Sequence, residues 1–320
     1  MDLGKGDKPA GSSRLETSAY KAQEEISKVL YDPACNIFKP WQFDSHLSHP
    51  VTLKTTYEEL KILWNEEARF REGFSAGNDT IAIPNLFVKI SGVHKDLCEY
   101  EKEVEFFLSS SKKLFFSSES LLGENLSEAN YVAYSKNGIL KPASGSSLMH
   151  FISKNGALDI EELAASHFFE NMTPQKQLQT TIAHKLGQLI ESDLLLKSSS
   201  EYATLRILHM LLILDKSLIG LLENFDYPFD VPKIAIYNGK GAPFTFEDCA
   251  AISFFYYCGF DILILTPSGH VDIENHINGS YFDNHCLEER NASIDYAKLK
   301  GKCDTSGKKA LSRMAAFFKK

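Results

Sequence analysis

The sequence predicts an α/β protein, a mostly helical region followed by a small Rossmann-like parallel βαβ region. Three observations predict it. Lys233–Tyr237 and Asp261–Leu265 are short, almost wholly apolar runs, the pattern of strands buried on both faces. Between them, Thr245 opens and Gly259 closes a segment of helical length. Strand, helix and strand with short connections should form a right-handed crossover. Upstream, apolar residues recur at helical spacing over long stretches.

Taken in order, residues 1–16 are rich in Gly, Ser and Lys and read as disordered. A helix is expected from about Ser18 to Leu30, ended by Pro33. Thr56 and Glu59 have the spacing of a capping box, so a second helix should run from there to about Arg71–Gly73. Thr80–Ile83 and Phe87–Ile90 read as a β-hairpin turning at Pro84-Asn85. Residues 95–108 read as a charged helix, and Asp159, three residues before Glu162, caps another. Thr173-Pro174 places proline where a helix starts, with Leu178, Ile182, Leu186, Leu189 and Ile190 on its apolar face. Tyr202–Leu222 is apolar nearly all round and reads as one central helix. The organisation is therefore a mainly helical region over 17–228, the βαβ region over 229–295 and a basic tail over 296–320. Two parallel strands do not make a domain, so further strands must come from this chain or a partner.

Composition narrows the function classes. In 320 residues, 43% apolar and 24% charged, there is ample core for globular folding. Six cysteines with no C-x-x-C pair point away from a disulfide scaffold, a zinc ribbon or a thioredoxin-type site. The net charge is −8, and the segment 296–320 carries +7, which leaves −15 on the rest. An acidic body disfavours sequence-independent binding to nucleic acid. The tail reads as a solvated terminal segment. The longest apolar stretch, Leu205–Leu214, is broken by Arg206 and His209, short of the roughly 20 apolar residues of a bilayer span. Met1–Arg14 lacks the apolar core of a signal peptide, and a reducing cytoplasm is the expected location.

Candidate chemistry gathers at the strand ends, because ligands of open α/β sheets bind beyond the carboxyl ends of the strands. Asn238-Gly239-Lys240-Gly241 follows the first strand. It is either a glycine-rich turn or a ligand loop in which Asn238 and Lys240 make contact; its spacing is neither a dinucleotide fingerprint nor a P-loop. Thr266-Pro267-Ser268-Gly269-His270 follows the second strand and leads to Asp272 and Glu274. Thr266 and Ser268 either cap a helix or hold an anion at its start. Asp272 and Glu274 are the candidate acid/base pair. Arg69 and Arg71 either complement a helix dipole or, with Lys89, neutralise an anion in a cleft. His270, His276 and His285-Cys286 match no metal-binding spacing, so no metal is expected. Trp41 and Trp64 read as core or interface aromatics. The implied ligand is a small anionic metabolite; no cofactor is specified.

Four segments, Phe38–Phe43, Leu53–Glu59, Trp64–Arg71 and Ile83–Val93, resemble the YceG-like family, a component of the biosynthetic module of tellurite-resistance (Ter) operons. Gly259–Ile262, Thr266–Gly269 and Asp272–Glu274 match it too. The resemblance covers roughly residues 17–296. It implies a bacterial cytoplasmic protein acting beside Ter-type stress proteins, in longer members preceded by another Rossmann-like half. It transfers no catalytic residue. Two functions follow as expectations. One is a pathway component that binds a phosphorylated, nucleotide-like or sugar-like metabolite at the strand ends. The other is a non-catalytic scaffold that docks Ter partners through its helical region.

Overall fold

Five parallel strands, drawn from both halves of the chain, form the central sheet. The computed structural model describes residues 45–50, 55–76, 80–109, 113–117, 121–122, 132–134, 140–142, 147–169, 172–196, 203–214, 216–223 and 231–300. The expected helix at 18–30, the N-terminal segment, Trp41 and the tail beyond Lys300 lie outside them. In chain order the elements are β1 (Ser45–Pro50), α1 (Tyr57–Asn65), β2 (Ser75–Ala76), β3 (Thr80–Asn85), β4 (Phe87–Ser91), α2 (Leu97–Leu108), β5 (Lys113–Ser117), β6 (Val132–Tyr134), β7 (Leu140–Pro142), α3 (Ile160–Ala165) and α4 (Lys176–Glu191). They continue with α5 (Ala203–Leu212), α6 (Lys216–Glu223), β8 (Lys233–Tyr237), α7 (Phe246–Tyr257), β9 (Asp261–Thr266), β10 (Asp283–Cys286) and α8 (Tyr296–Leu299).

The strand order is β10-β4-β9-β8-β5. As the two apolar runs require, β8 and β9 are adjacent and parallel, with Ile234 opposite Ile262. The missing strands come from the same chain: β4 pairs with β9, β5 with β8 and β10 with β4, all parallel. The sheet therefore crosses the expected boundary at 228, and the preceding region is not simply helical.

The expected hairpin is not formed. β3 pairs in parallel with β1 and antiparallel with β2, whereas β4 belongs to the central sheet. A hairpin needs the chain to reverse, and here it runs on through Leu86. Asn85 is not a turn residue: its buried amide donates to the carbonyls of Tyr256 and Phe260, at the far end of α7.

Strand alternation assigns the two layers of helix. Val88, Ile90, Leu263, Leu265 and Tyr237 pack with Leu60 and Trp64 of α1 and Tyr100, Val104 and Phe107 of α2. The indole of Trp64 donates to the Phe107 carbonyl at 3.0 Å, joining those helices. Phe87 faces the other way and its ring meets Tyr256 of α7. On that side α7 lies between the sheet and α4 and α5. This explains why residues all round α7 are buried.

Local signals hold where they are local. Thr56 makes a full capping box with Glu59, Thr245 makes one with Asp248, and Asp159 caps α3. Gly259 ends the α7 turn at φ 93°, a conformation that suits glycine. Helix ends differ in detail. The second helix stops at Asn65 and a short 3-10 turn carries Arg69. α4 starts at Lys176 behind Gln175, two residues past Pro174. The long apolar stretch is two helices, broken where Leu214 leaves the helix and forms an antiparallel bridge to Leu122. Among the described residues no helix is long and apolar enough to cross a membrane.

Candidate functional site

At the carboxyl ends of β4, β9 and β8, one carboxylate ties three neighbouring strands together. Asp272 is fully buried. Its Oδ1 accepts from Lys89 Nζ at 2.7 Å and from the Ile273 amide at 2.7 Å. Its Oδ2 accepts from Thr266 Oγ1 at 2.6 Å and from Asn238 Nδ2 at 3.1 Å. Lys89 comes from β4, Thr266 from the end of β9 and Asn238 from just past β8. The carboxylate is thus saturated with donors, the condition under which burying it is tolerable.

Lys89 is equally committed. It sits inside β4, 1% exposed, on the α7 face of the sheet. Its ammonium donates to Asp272, to Glu274 Oε1 at 2.6 Å and to the His270 carbonyl at 3.0 Å. Those three acceptors use all three of its hydrogens. Glu274 completes the group by accepting from the Asp272 amide at 2.9 Å. Its side chain remains 29% exposed, so it is the carboxylate of the pair that a solute meets. Below them, burial first, and then the negative charge of Asp248, Asp272 and Glu274, push the Cys249 thiol well above its ordinary range. That thiol is therefore no nucleophile at neutral pH.

The two loops named from sequence do lie together. The Asn238 amide hydrogen-bonds the Leu265 carbonyl at 2.8 Å, and its side chain holds the Ala242 carbonyl. Gly241, at φ 62°, approaches so closely that an added Cβ would fall 2.7 Å from Ser268 Oγ and 3.0 Å from His270 Cδ2. The hydroxyl of Ser268 is buried against this contact, whereas Lys240 and His270 are exposed. After Ser268 no helix begins at once; a three-residue 3-10 turn, Ile273–Asn275, follows with Asp272 as its cap. The helix-start anion site expected there is consequently not formed.

Against known families, the YceG domain matches residues 54–317. The chain belongs to the YceG domain family. It is 31% identical over 297 residues to the uncharacterized protein YceG of Bacillus subtilis (strain 168), covering 88% of this chain and 51% of that protein. The chain thus spans about half the length of the curated relative it matches. No solved structure matches it.

Within this YceG domain the sequence-predicted residues divide into three groups. Lys89, Asn238, Thr266 and Asp272 are brought together, but to one another. Glu274 and Lys240 stand at the accessible edge beside them, with Ser268 beneath. Arg69 and Arg71 belong elsewhere. Arg71 is buried and clasps Asp261 with both amino nitrogens, at 2.8 and 2.7 Å, and it also donates to the carbonyls of Leu63 and Pro84. Asp261 opens β9, so this pair closes the amino end of the sheet, opposite the cluster. Arg69 pairs with Glu67 and stacks on Phe70. Neither arginine reaches the strand-end cluster. Among the described residues no group of three or more His, Cys, Asp and Glu side chains is placed to hold a metal.

Sequence reasoning missed a second polar cluster on the α1/α2 side of the same edge. His94 follows β4 by three residues, and its Nε2 meets Glu103 of α2. Glu103 also accepts from Tyr57 at 2.8 Å and pairs with Lys61. The other ring nitrogen, Nδ1, meets Glu288 at 2.8 Å. The strand-end rule, applied to β4 as well as to β8 and β9, would have found it.

Proposed function

We propose that this chain binds a phosphorylated, nucleotide-like or sugar-like metabolite at the carboxyl edge of a Rossmann-like sheet, as a component of a Ter-associated biosynthetic module. The observation that carries the binding reading is the Asp272 hub. It fixes the ends of β4, β8 and β9 together and leaves Glu274 and Lys240 at the open edge. A partly exposed carboxylate accepts hydrogen bonds from sugar hydroxyls, as acidic residues do toward ribose in dinucleotide-binding folds. An exposed lysine on the adjoining loop supplies a point charge for phosphate. The Ter setting rests on the motif resemblance at residues 38–93 and 259–274.

Proton transfer, if the chain performs any, goes through Glu274. Asp272 accepts from four donors and has no access to solvent, so its role is to hold Lys89, Asn238 and Thr266 in place.

The test is calorimetric titration with ribose 5-phosphate, glucose 1-phosphate and ADP-ribose. Binding by the parent, weakened in Glu274→Gln and in Lys240→Ala, with the melting of Lys240→Ala unchanged, supports the reading. If the parent binds none of the three at millimolar concentration, the strand-end ligand is something else. Retrieval of Ter proteins alone would then favour the scaffold.

A further inference from the structure

The segment after β10 returns across the carboxyl edge and sets down an arginine there. Leu287 N–H bonds the Ser91 carbonyl, and Glu289 exchanges backbone hydrogen bonds with Val93 just beyond β4. Two residues later the Asn291 amide donates to the Pro267 carbonyl in the loop after β9, at 2.8 Å. Arg290 lies between these two anchors, so its backbone is fixed from both sides. Its side chain lies against Gly269: a Cβ built there would be 3.0 Å from Arg290 Nε, 3.1 Å from Cδ and 3.2 Å from Cγ. Gly269 has φ 63°, which favours glycine, and the missing side chain is what admits the guanidinium stem.

This arginine is exposed and, among the described residues, has no carboxylate partner. The chain is acidic overall, at −8. Of the nearby carboxylates, Asp272 and Glu274 are engaged with Lys89 and Glu288 with His94, while Glu289, the residue before Arg290, makes no ion pair with it. Lys240 is in the same position, exposed and unpaired among the described residues. The segments that carry the two cations meet at one loop tip. Lys240 adjoins Gly241, which touches Ser268; Arg290 touches Gly269, the residue after Ser268.

We infer that Arg290 and Lys240 form an anion clamp over the Ser268-Gly269 tip, built for the phosphate of a phosphate ester or diphosphate. The guanidinium offers a planar fork that fits two phosphate oxygens, and the ammonium adds a point charge. Positive charge held in place and left unpaired in an acidic protein marks a local well for an anion. The inference rests on the strand-end reading above, and adds to it the group that receives the charged end of the ligand. Glu274 would then face the hydroxyl-bearing end.

The experiment is titration of the full chain with pyrophosphate and with ribose 5-phosphate at low and moderate salt. Both should bind, more weakly as salt rises. Arg290→Ala and Lys240→Ala should each weaken both probes about tenfold, the worth of one charge-assisted contact. Lys154→Ala, an exposed lysine on another segment, should leave both unchanged. Glu274→Gln should weaken ribose 5-phosphate and spare pyrophosphate. Thermal melts of the Arg290, Lys240 and Lys154 variants should match the parent, since these three side chains are exposed. Pyrophosphate binding by Arg290→Ala at parental affinity overturns the clamp, even where ribose 5-phosphate binding upholds the wider reading. Absence of pyrophosphate binding to the parent also overturns it. Pyrophosphate binding that depends on Arg290, without any sugar phosphate binding, upholds the clamp and removes the sugar-like ligand.

Discussion

His94 is held between two carboxylates, with Glu103 on Nε2 and Glu288 on Nδ1. Burial alone would lower its pKa, but the hydrogen bond to Glu288 and the charge of Glu103 outweigh burial and raise it above the ordinary imidazole value. The groups that touch it are Tyr57 of α1, Tyr100 and Glu103 of α2 and Glu288 beyond β10; Lys61 pairs with Glu103, and His285 of β10 lies against Tyr57. A raised folded pKa means that the imidazolium's contribution is fully present below the unfolded value of about 6.5. That contribution is lost as pH rises through the higher folded value. Amide exchange at residues 287–291 should therefore quicken, relative to the intrinsic rate, as pH climbs from 6 toward 8. Glu288→Gln should lower the His94 midpoint in an NMR titration. An unshifted midpoint would remove Glu288 from the account.

The Arg71–Asp261 pair should behave as a structural lock. Both partners are buried, and Asp261 Oδ1 also accepts from the Leu86 amide, which joins β9 to the start of β4. Arg71→Met leaves Asp261 buried without its main counter-charge. The expected cost is about 3–5 kcal/mol of stability in urea unfolding, the usual result of breaking a buried pair from one side. Because the pair sits at the amino end of the sheet, pyrophosphate affinity in the folded variant should stay at the parental value.

Much of the fold was legible because its signals are local. Capping at Thr56, Asp159 and Thr245 depends on residues three apart, and β8 and β9 announce themselves by continuous apolar character. β10 does not. Asp283-Asn284-His285-Cys286 contains no strongly apolar side chain, because an edge strand with alternate residues exposed needs none. The site was half legible for a similar reason. Strand ends pointed to Asn238, Thr266 and Asp272 one at a time. Nothing in the sequence announces that Lys89 lies against Asp272, 183 residues away. A lysine in a strand reads as a surface cation until its counter-charge is seen. Arg71 misled in the same way, since its partner Asp261 looked only like the first residue of a strand.

The broken helical stretch makes a packing prediction. Leu208 of α5 is fully buried, and α5 packs against α7, which backs the sheet. Leu208→Ala should cost roughly 2–5 kcal/mol, the range for an unrelieved core truncation. Leu212, only partly buried at the end of α5, should cost less. Equal losses at the two positions, measured by denaturant unfolding, would mean that α5 does not present one face to α7.

Lys89 and Asp272 give the sharpest separation of structure from function. Lys89→Met removes the ammonium paired with a fully buried carboxylate, while Glu274 loses its partner at the rim. The expected cost is again about 3–5 kcal/mol, most of it from stranding Asp272. If that is the cause, removing the carboxylate as well should restore stability. The double variant Lys89→Met with Asp272→Leu should recover a large part of the loss, because a packed apolar pair can equal a buried ion pair. It should not recover ligand binding. Asn238 and Thr266 would lose their shared acceptor, the ends of β8 and β9 would be tied only by backbone, and Glu274 would no longer be aimed by an ammonium. Unfolding of the single and double variants in urea gives the coupling energy directly. A double variant as unstable as Lys89→Met would show that the lysine stabilises the sheet through something other than Asp272. A double variant that regains both stability and pyrophosphate binding would show that the hub is dispensable to the site.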